Sequence, residues 1–215
     1  MTTATSAPEL FCSDMIDFHH FPRTALLAKS FFRMKKHGHA IVLIGFMGAG
    51  KSSVGRTLAR ITGRRRFDTD EMIATKFGLT VSQIFEKRGE ERFRDAESEA
   101  LEQLSSATDV IIVTGGGIVL RETNTARLRE LGLVVFLLAD EETLFRRISR
   151  RPTRPLLQTS DPRSTLRELL RLRLPLYRAA ADVEVDTSGL THDEVARSIL
   201  KRIEEHERGG VKPEE

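Results

Sequence analysis

A phosphate-binding loop is the clearest chemical signal in this chain. Residues 45–52 read GFMGAGKS and fit the P-loop pattern G-x-x-x-x-G-K-[ST]. Glycines allow backbone N–H groups to crowd around phosphate oxygens at positions where a Cβ atom would clash. We expect Lys51 to reach the β- and γ-phosphates and the Ser52 hydroxyl to bind Mg²⁺. The residues of this segment predicted to bind nucleotide are Gly48, Ala49, Gly50, Lys51, Ser52 and Ser53.

The flanks of the loop favour phosphate binding over a glycine-rich turn that binds nothing. Residues 40–44 (AIVLI) form a short apolar run of the kind typical of a buried parallel strand. After the loop, Val54, Leu58 and Ile61 are spaced as on one face of a helix. A strand, the loop and a helix in this order are the context that a P-loop requires, and the positive end of the helix faces the same anion.

Two aspartates follow the second predicted strand, which ends near Asp68. Acidic side chains at the carboxyl end of a strand in an open α/β sheet lie at the edge where ligands bind. We expect Asp68 to hold a water bound to Mg²⁺ and Asp70 to accept a proton from a substrate hydroxyl. The alternative is that Asp70 only caps a helix over residues 71–77, since Asp is a favoured N-cap residue. The two residues by themselves leave both interpretations open.

A third strand, residues 110–114, runs into Gly115, Gly116 and Gly117. Three successive glycines at the end of a strand suggest that a ligand approaches bare backbone, although a flexible turn has the same composition. Arg94 precedes them on a predicted helix that is dense with acids. Considered alone, an arginine in that setting is typically salt-bridged to its helical neighbours.

Arginines are concentrated in the second half of the chain. The segment from Arg146 to Arg178 contains ten arginines and two acids, Asp161 and Glu168. Such a cluster suits either a nucleic acid or a bound polyphosphate, and the P-loop favours the polyphosphate. After Arg150, prolines at 152, 155 and 162 keep the chain out of a helix, so we predict an irregular, mobile lid that brings cations over the nucleotide.

Five apolar strands alternate with helices, which predicts an α/β fold with three αβα layers around a five-stranded parallel sheet. We place this domain at residues 40–206, after an N-terminal extension (residues 1–39) that we expect to be partly disordered and before a polar tail (residues 207–215). Residues 23–36 have a basic amphipathic pattern that suits a membrane surface or a partner. We favour two other interpretations of this segment. Either it is a loosely packed extension, or translation starts at Met34.

The composition indicates in which cellular compartment we expect the protein. The single Cys12 excludes an internal disulfide framework and suits a reducing compartment. No apolar run approaches the ~18–20 residues that cross a bilayer, and the N-terminus lacks the pattern of a secretory signal. We therefore expect a cytoplasmic protein without a membrane span and without a nucleic-acid partner.

Read together, these motifs resemble those of the shikimate kinase family, small P-loop kinases with the nucleoside-monophosphate-kinase fold. The resemblance covers residues 40–205. It implies ATP-dependent phosphorylation of the 3-hydroxyl of shikimate, a step of aromatic amino acid biosynthesis, by a monomer with Mg²⁺ as cofactor. Besides the P-loop and the triple glycine, it depends on Asp68-Thr69-Asp70, Phe93-Arg94, Arg154-Pro155-Leu156-Leu157 and Arg173-Leu174-Pro175-Leu176-Tyr177.

For the shikimate side of the site, the resemblance implies four contacts. Asp70 would bind the 3-hydroxyl and deprotonate or orient it. Arg94 and Arg173 would hold the carboxylate, a task that suits the forked guanidinium group. The backbone of residues 115–117 would contact the substrate.

For the nucleotide side, the resemblance implies that Lys51 and Arg154 neutralise charge on the transferring phosphoryl group. Mg²⁺ would bind Ser52 and, through water, Asp68. Arg147 would stack on the adenine. The turn after Asp186 lacks the basic residue that some relatives place near the adenine, so we expect only backbone contacts there.

Three other functions stay open at this point. A kinase of the same fold that acts on another small metabolite, such as gluconate, has similar motifs. A P-loop module that binds nucleotide only to regulate a partner would lack catalytic residues, whereas Lys51, Asp70 and Arg154 are all present. Nucleic-acid binding through the arginine cluster would depend steeply on salt.

Overall fold

The structure is a computed structural model that describes residues 40–150 and 161–209. The N-terminal extension, the predicted lid with Arg154 and the last residues of the polar tail lie outside this part.

A parallel five-stranded sheet forms the centre of the domain. Its strands are β1 (Ala40–Ile44), β2 (Arg65–Asp68), β3 (Val110–Val113), β4 (Gly132–Leu138) and β5 (Val183–Asp186). They lie in the order β2-β3-β1-β4-β5. Every residue of β1 and β3 is buried, as expected for strands covered on both faces. The predicted fold and number of strands are confirmed.

Seven helices and one short 3₁₀ helix (Ile118–Leu120) surround the sheet within the described residues. Helices α1 and α7 pack against each other, α1 on β3 and α7 on β5, while α4 and α6 pack on β4. These contacts give the layer of helices on each side of the sheet. The helices are α1 (Lys51–Thr62), α2 (Thr69–Phe77), α3 (Val81–Gln103), α4 (Glu122–Leu131), α5 (Glu141–Ser149), α6 (Pro162–Ala180) and α7 (His192–Gly209).

Side chains cap the helices that position the site. Thr80 and Gln83 form a capping box at the start of α3, and Asp140 accepts a hydrogen bond from the Thr143 N–H at the start of α5. Helix α3 is interrupted at Gly89, whose φ of 81° lies in the left-handed region. Because glycine tolerates this conformation, the helix changes direction there without a break in the chain.

The starts of two helices decide one open alternative and correct one prediction. Helix α2 begins at Thr69, and its cap is Asp68, whose carboxylate accepts a hydrogen bond from the Asp70 N–H at 3.2 Å. The idea that Asp70 itself caps this helix is therefore incorrect. Pro162 begins α6 instead of keeping its segment irregular, since the first turn of a helix needs no proline N–H.

Helix α7 reaches Gly209, so its last turn includes residues 207–209 of the predicted polar tail. Its buried residues Val195, Ile199 and Ile203 recur at helical spacing, which gives the helix the apolar face that packs on the domain.

The close approach of α1 to β3 gives a test of the fold. A Cβ atom on Gly55 would lie 2.5 Å from Cγ2 of Val113. Gly55→Ala would gain about 1 kcal/mol of helix propensity. Overpacking a core costs about 1–3 kcal/mol. We expect the clash to dominate, so that the variant loses about 1 kcal/mol of unfolding free energy in urea.

The same substitution in a Val113→Ala background is the control, because that background removes Cγ2. There Gly55→Ala should be neutral or stabilising. A Gly55→Ala variant that is more stable than the wild type would contradict the packing described for α1 and β3.

Candidate active site

The P-loop closes around the Lys51 side chain. Gly50 occupies the N-cap of α1 in the left-handed conformation, with φ of 95°, which a residue with a Cβ rarely adopts. The Lys51 Nζ donates hydrogen bonds to the carbonyl oxygens of Gly45 at 2.7 Å and Phe46 at 3.1 Å. No acidic residue occupies the first turn of α1. The positive end of the helix and the ammonium group therefore both face the space that the predicted phosphates would fill.

Ser52 and Asp68 converge next to this loop, as predicted for a magnesium site. The Ser52 hydroxyl donates to Oδ2 of Asp68 at 3.2 Å, and Asp68 is almost fully buried. One hydroxyl and one carboxylate are the hard oxygen ligands that Mg²⁺ prefers, with water and phosphate oxygens completing the shell. Among the described residues, no group of three His, Cys, Asp or Glu side chains offers another metal site.

Arg66 is a member of this cluster that the sequence analysis missed. Its Nη1 donates to Oδ2 of Asp68 at 3.0 Å, and its Nη2 binds Glu71. Arg66 and Asp68 lie two residues apart on β2, so their side chains share one face of the strand. The spacing of two residues on a predicted strand could therefore have indicated this ion pair.

Asp70 lies against the triple glycine. A Cβ atom on Gly115 would be 2.6 Å from Oδ1 of Asp70 and 2.7 Å from Oε1 of Glu97. The Gly115 N–H donates to the Thr69 hydroxyl oxygen at 3.1 Å, which ties the glycines to the start of α2. The two carboxylates thus face each other across a residue that has no side chain.

Arg94 is both salt-bridged and part of this site. Its guanidinium donates to Glu97 at 2.6 Å and to Glu90 at 2.7 Å, as its acidic surroundings indicated. Unlike a surface ion pair, however, Arg94 is buried, and a Cβ atom on Gly117 would lie 2.1 Å from its Nη1. The side chain therefore fills the space above the third glycine.

Glu97 was not among the predicted site residues. It is fully buried, and among residues 40–150 and 161–209 its Oε1 has no hydrogen-bond partner. Burial raises the pKa of Glu97 to about 6 against the attraction of Arg94, and the Asp70 charge adds to the increase. Only burial distinguishes Glu97 from the other acids of α3, and the sequence pattern did not show that burial.

Arg173 reaches the same glycines from α6. It is buried, its Nη1 lies 3.5 Å from the Gly116 carbonyl oxygen, and its guanidinium lies over the Phe46 ring of the P-loop. Tyr177, one helical turn further along, donates its hydroxyl to the same carbonyl oxygen. The two arginines that were predicted to hold a carboxylate thus both lie at residues 115–117.

Arg147 lies beside the P-loop on the other side. It donates to the Thr187 carbonyl at 2.9 Å and approaches the Gly48 carbonyl at 3.4 Å. The Thr187 hydroxyl in turn donates to the carbonyl oxygen of Ala49 at 3.3 Å. Burial lowers the pKa of the Arg147 guanidinium. The contacts hold Arg147 next to the predicted nucleotide loop, whereas Arg154 lies outside the described residues.

Comparisons with known proteins agree on one family. The family model for shikimate kinase matches residues 47–204. The chain is 45% identical over 169 residues to a shikimate kinase of Thermodesulfovibrio yellowstonii, covering 79% of this chain and 97% of the relative. It is 44% identical over 172 residues to one of Bordetella pertussis, covering 80% and 82%. The chain belongs to the shikimate kinase family.

Solved structures agree with this assignment. A shikimate kinase from Acinetobacter baumannii in complex with shikimate matches with a TM-score of 0.77 and 38% identity, over 84% of this chain and 99% of that one. The enzyme from Aquifex aeolicus matches with a TM-score of 0.68 and 34% identity, over 80% and 99%. The expected family, fold and class of enzyme, a phosphotransferase that uses ATP, are confirmed.

The raised pKa of Glu97 predicts how stability depends on pH. Its folded pKa of about 6 exceeds the ordinary value of 4.5. The contribution of Glu97 to the free energy of unfolding is therefore fully present below pH 4.5 and lost as pH rises through about 6. We expect the stability difference between wild type and Glu97→Gln to fall by roughly 2 kcal/mol between about pH 4 and about pH 7.

Urea unfolding at several pH values measures this difference. Glu102→Gln, an exposed position on the same helix, should show no such change across the range. A wild-type advantage over Glu97→Gln that stays constant with pH would contradict the raised pKa.

Proposed function

We propose that the protein transfers the γ-phosphoryl group of ATP to the 3-hydroxyl of shikimate, giving shikimate 3-phosphate and ADP in aromatic amino acid biosynthesis. One observation carries this proposal. Asp70, Arg94 and Arg173 come from three different helices and meet at residues 115–117, beside a P-loop. A hydroxylated acid fits such a site, with its carboxylate on the arginines and a hydroxyl on the aspartate.

In the proposed complex, Arg94 and Arg173 hold the shikimate carboxylate. Both guanidinium groups are buried, so their hydrogen bonds to an anion are stronger than at a surface. Arg94 keeps its orientation because Glu97 binds one side of it and the Phe93 ring lies 5.6 Å from it. The backbone of residues 115–117 lines the substrate, since any side chain on Gly115 or Gly117 would meet the ligating groups.

Asp70 is the proposed catalytic base. It lies in the first turn of α2, where the Asp68 cap fixes the backbone through the Asp70 N–H. As the bond between the 3-oxygen and the γ-phosphorus forms and the bond to the β-phosphate oxygen breaks, Asp70 orients the hydroxyl and takes its proton. Phosphoryl transfer needs positioning and positive charge more than a covalent nucleophile, so no further nucleophile is required.

The proposed phosphate site is formed by the P-loop and the residues around it. Backbone N–H groups of residues 48–53 and the Lys51 ammonium bind the phosphates, and Arg154 adds positive charge at the γ-phosphate. Ser52 and, through water, Asp68 would hold Mg²⁺, which neutralises phosphate charge when bound. Arg147 is the proposed adenine contact, supported by its position beside Gly48.

We further propose that the enzyme acts as a monomer in the cytoplasm. The monomer is proposed by analogy with the compact monomers of the family. The single Cys12 suits a reducing compartment that also supplies ATP. Within the described part of the chain, no helix has the length and apolar character needed to cross a bilayer.

Asp70→Asn tests the reaction and the base together. ADP release from Mg-ATP is measured with shikimate, with gluconate and without an acceptor. We expect turnover by the wild type only with shikimate, and kcat lower by roughly 10²–10⁴-fold in Asp70→Asn because a positioned base is lost. Glu102→Gln is the matched carboxylate control and should retain wild-type kcat.

The outcomes separate the alternatives. Turnover with gluconate alone would favour the other small-metabolite kinase. ATP binding without turnover on any acceptor would favour a regulatory P-loop module. Equal kcat for Asp70→Asn and wild type would contradict the role of Asp70 while leaving the reaction intact.

Arg173→Ala tests the carboxylate clamp. Loss of a buried charged partner should weaken shikimate binding by ~2–5 kcal/mol, which appears as a lower kcat/KM, mainly through a higher KM. Arg171→Ala on the same helix removes an exposed guanidinium that binds only Glu168 among the described residues. It should change neither the KM for shikimate nor the KM for ATP. Arg94→Ala should raise the shikimate KM as well, but it also leaves the Glu97 charge buried without Arg94, so its stability must be measured in parallel. An unchanged shikimate KM in Arg173→Ala would exclude the clamp.

A further inference from the structure

Tyr177 is a buried polar side chain to which the proposed mechanism gives no task. It is 1% exposed, and its ring stacks on Phe136 of strand β4, with centroids 5.1 Å apart. Its hydroxyl donates to the carbonyl oxygen of Gly116. One side chain therefore joins the rigid sheet to the middle residue of the triple glycine.

The contact matters because a glycine run has little conformational preference of its own. Gly116 has no side chain, and φ and ψ of such a residue are restricted only by external contacts. Side chains hold the first two glycines, because the Gly115 N–H donates to Thr69 and the Gly116 carbonyl accepts from Tyr177. The carbonyl oxygens of Gly115 and Gly117 accept instead from N–H groups of the 3₁₀ helix that follows. Among the described residues, loss of the Tyr177 hydroxyl would leave the Gly116 carbonyl with only the 3.5 Å contact from Arg173.

Holding the Gly116 carbonyl also fixes the direction of the Gly117 N–H. The peptide group is planar and trans, so the Gly116 carbonyl and the Gly117 N–H point in opposite directions. In the part of the chain that the structure describes, neither the Gly116 N–H nor the Gly117 N–H has a hydrogen-bond partner. By holding the carbonyl, Tyr177 sets the direction in which the Gly117 N–H is presented.

Arg173 shares the same acceptor. Its Nη1 lies 3.5 Å from the Gly116 carbonyl oxygen, one helical turn before Tyr177 on α6. Burial raises the pKa of the Tyr177 phenol, and the neighbouring Arg173 opposes that shift. The phenol therefore remains a donor at neutral pH, and it shares with Arg173 a carbonyl oxygen that has two lone pairs.

We infer that Tyr177 is a positioning residue for the acidic substrate: its hydroxyl orients the Gly116–Gly117 peptide beside the Arg173 guanidinium, which is proposed to hold the substrate carboxylate. This inference rests on the proposed function. It assigns Tyr177 to the shikimate side of the site alone, so the nucleotide side should not depend on its hydroxyl.

Tyr177→Phe tests the inference, because it removes only the hydroxyl and retains the ring that packs on Phe136. We expect the shikimate KM to rise about 3–10-fold, the range for one lost hydrogen bond, with kcat and the KM for ATP unchanged. Calorimetric titration with shikimate in the absence of ATP should show the same loss of affinity. Leu166→Val, a buried position on the same helix, is the control for general destabilisation and should lower the unfolding midpoint without changing the shikimate KM.

The wild type provides a second readout, since Tyr177 is the only tyrosine and the chain has no tryptophan. Its fluorescence reports on this contact directly, and we expect shikimate to change it whereas gluconate does not. A wild-type shikimate KM and affinity in Tyr177→Phe, or equal losses for both substrates, would overturn the inference and leave the proposed function standing. A wild type that neither turns over nor binds shikimate would overturn the proposed function, and the inference with it.

Discussion

The site depends on the volume that Gly115 and Gly117 leave empty after β3. Side chains from two helices, α2 and α3, fill the positions that Cβ atoms would take, namely Asp70 and Glu97 at Gly115 and Arg94 at Gly117. A base, its neighbouring acid and an arginine can be this close only because the backbone between them is bare. Arg94 offsets the charge of Glu97, while the nearby Asp70 carboxylate raises the pKa of Glu97.

The parallel sheet explains why these groups meet. In an open α/β sheet the carboxyl ends of all strands lie at one edge, so the P-loop after β1, the aspartates after β2 and the glycines after β3 are neighbours. Helices α3 and α6 then bring Arg94 and Arg173 to that edge from a distance in sequence. The shikimate side of the site is therefore assembled at this edge of the sheet. The capped starts of α2 and α3 fix the directions of these two helices.

The sequence predicted the fold and the strand ends well, because buried strands and a P-loop have strong local patterns. It predicted less about residues whose role depends on burial. Glu97 is one of several acids on α3, and nothing in the pattern separates it from the exposed ones. The sequence left open whether Asp70 caps α2, because the strand and the helix follow each other without a loop, and the structure shows that Asp68 is the cap. Arg66 and Tyr177 were visible in the sequence, but their partners are set by the sheet and by the Gly116 carbonyl.

Gly117 is required by the site and not by its own backbone. Its φ of −105° and ψ of 3° are open to alanine. A Cβ atom there would overlap the guanidinium of Arg94, which is buried and bound to Glu97 and Glu90. Even a methyl group would therefore have to displace an ion-paired side chain, so the space for the proposed carboxylate-binding arginine exists only while this residue has no side chain.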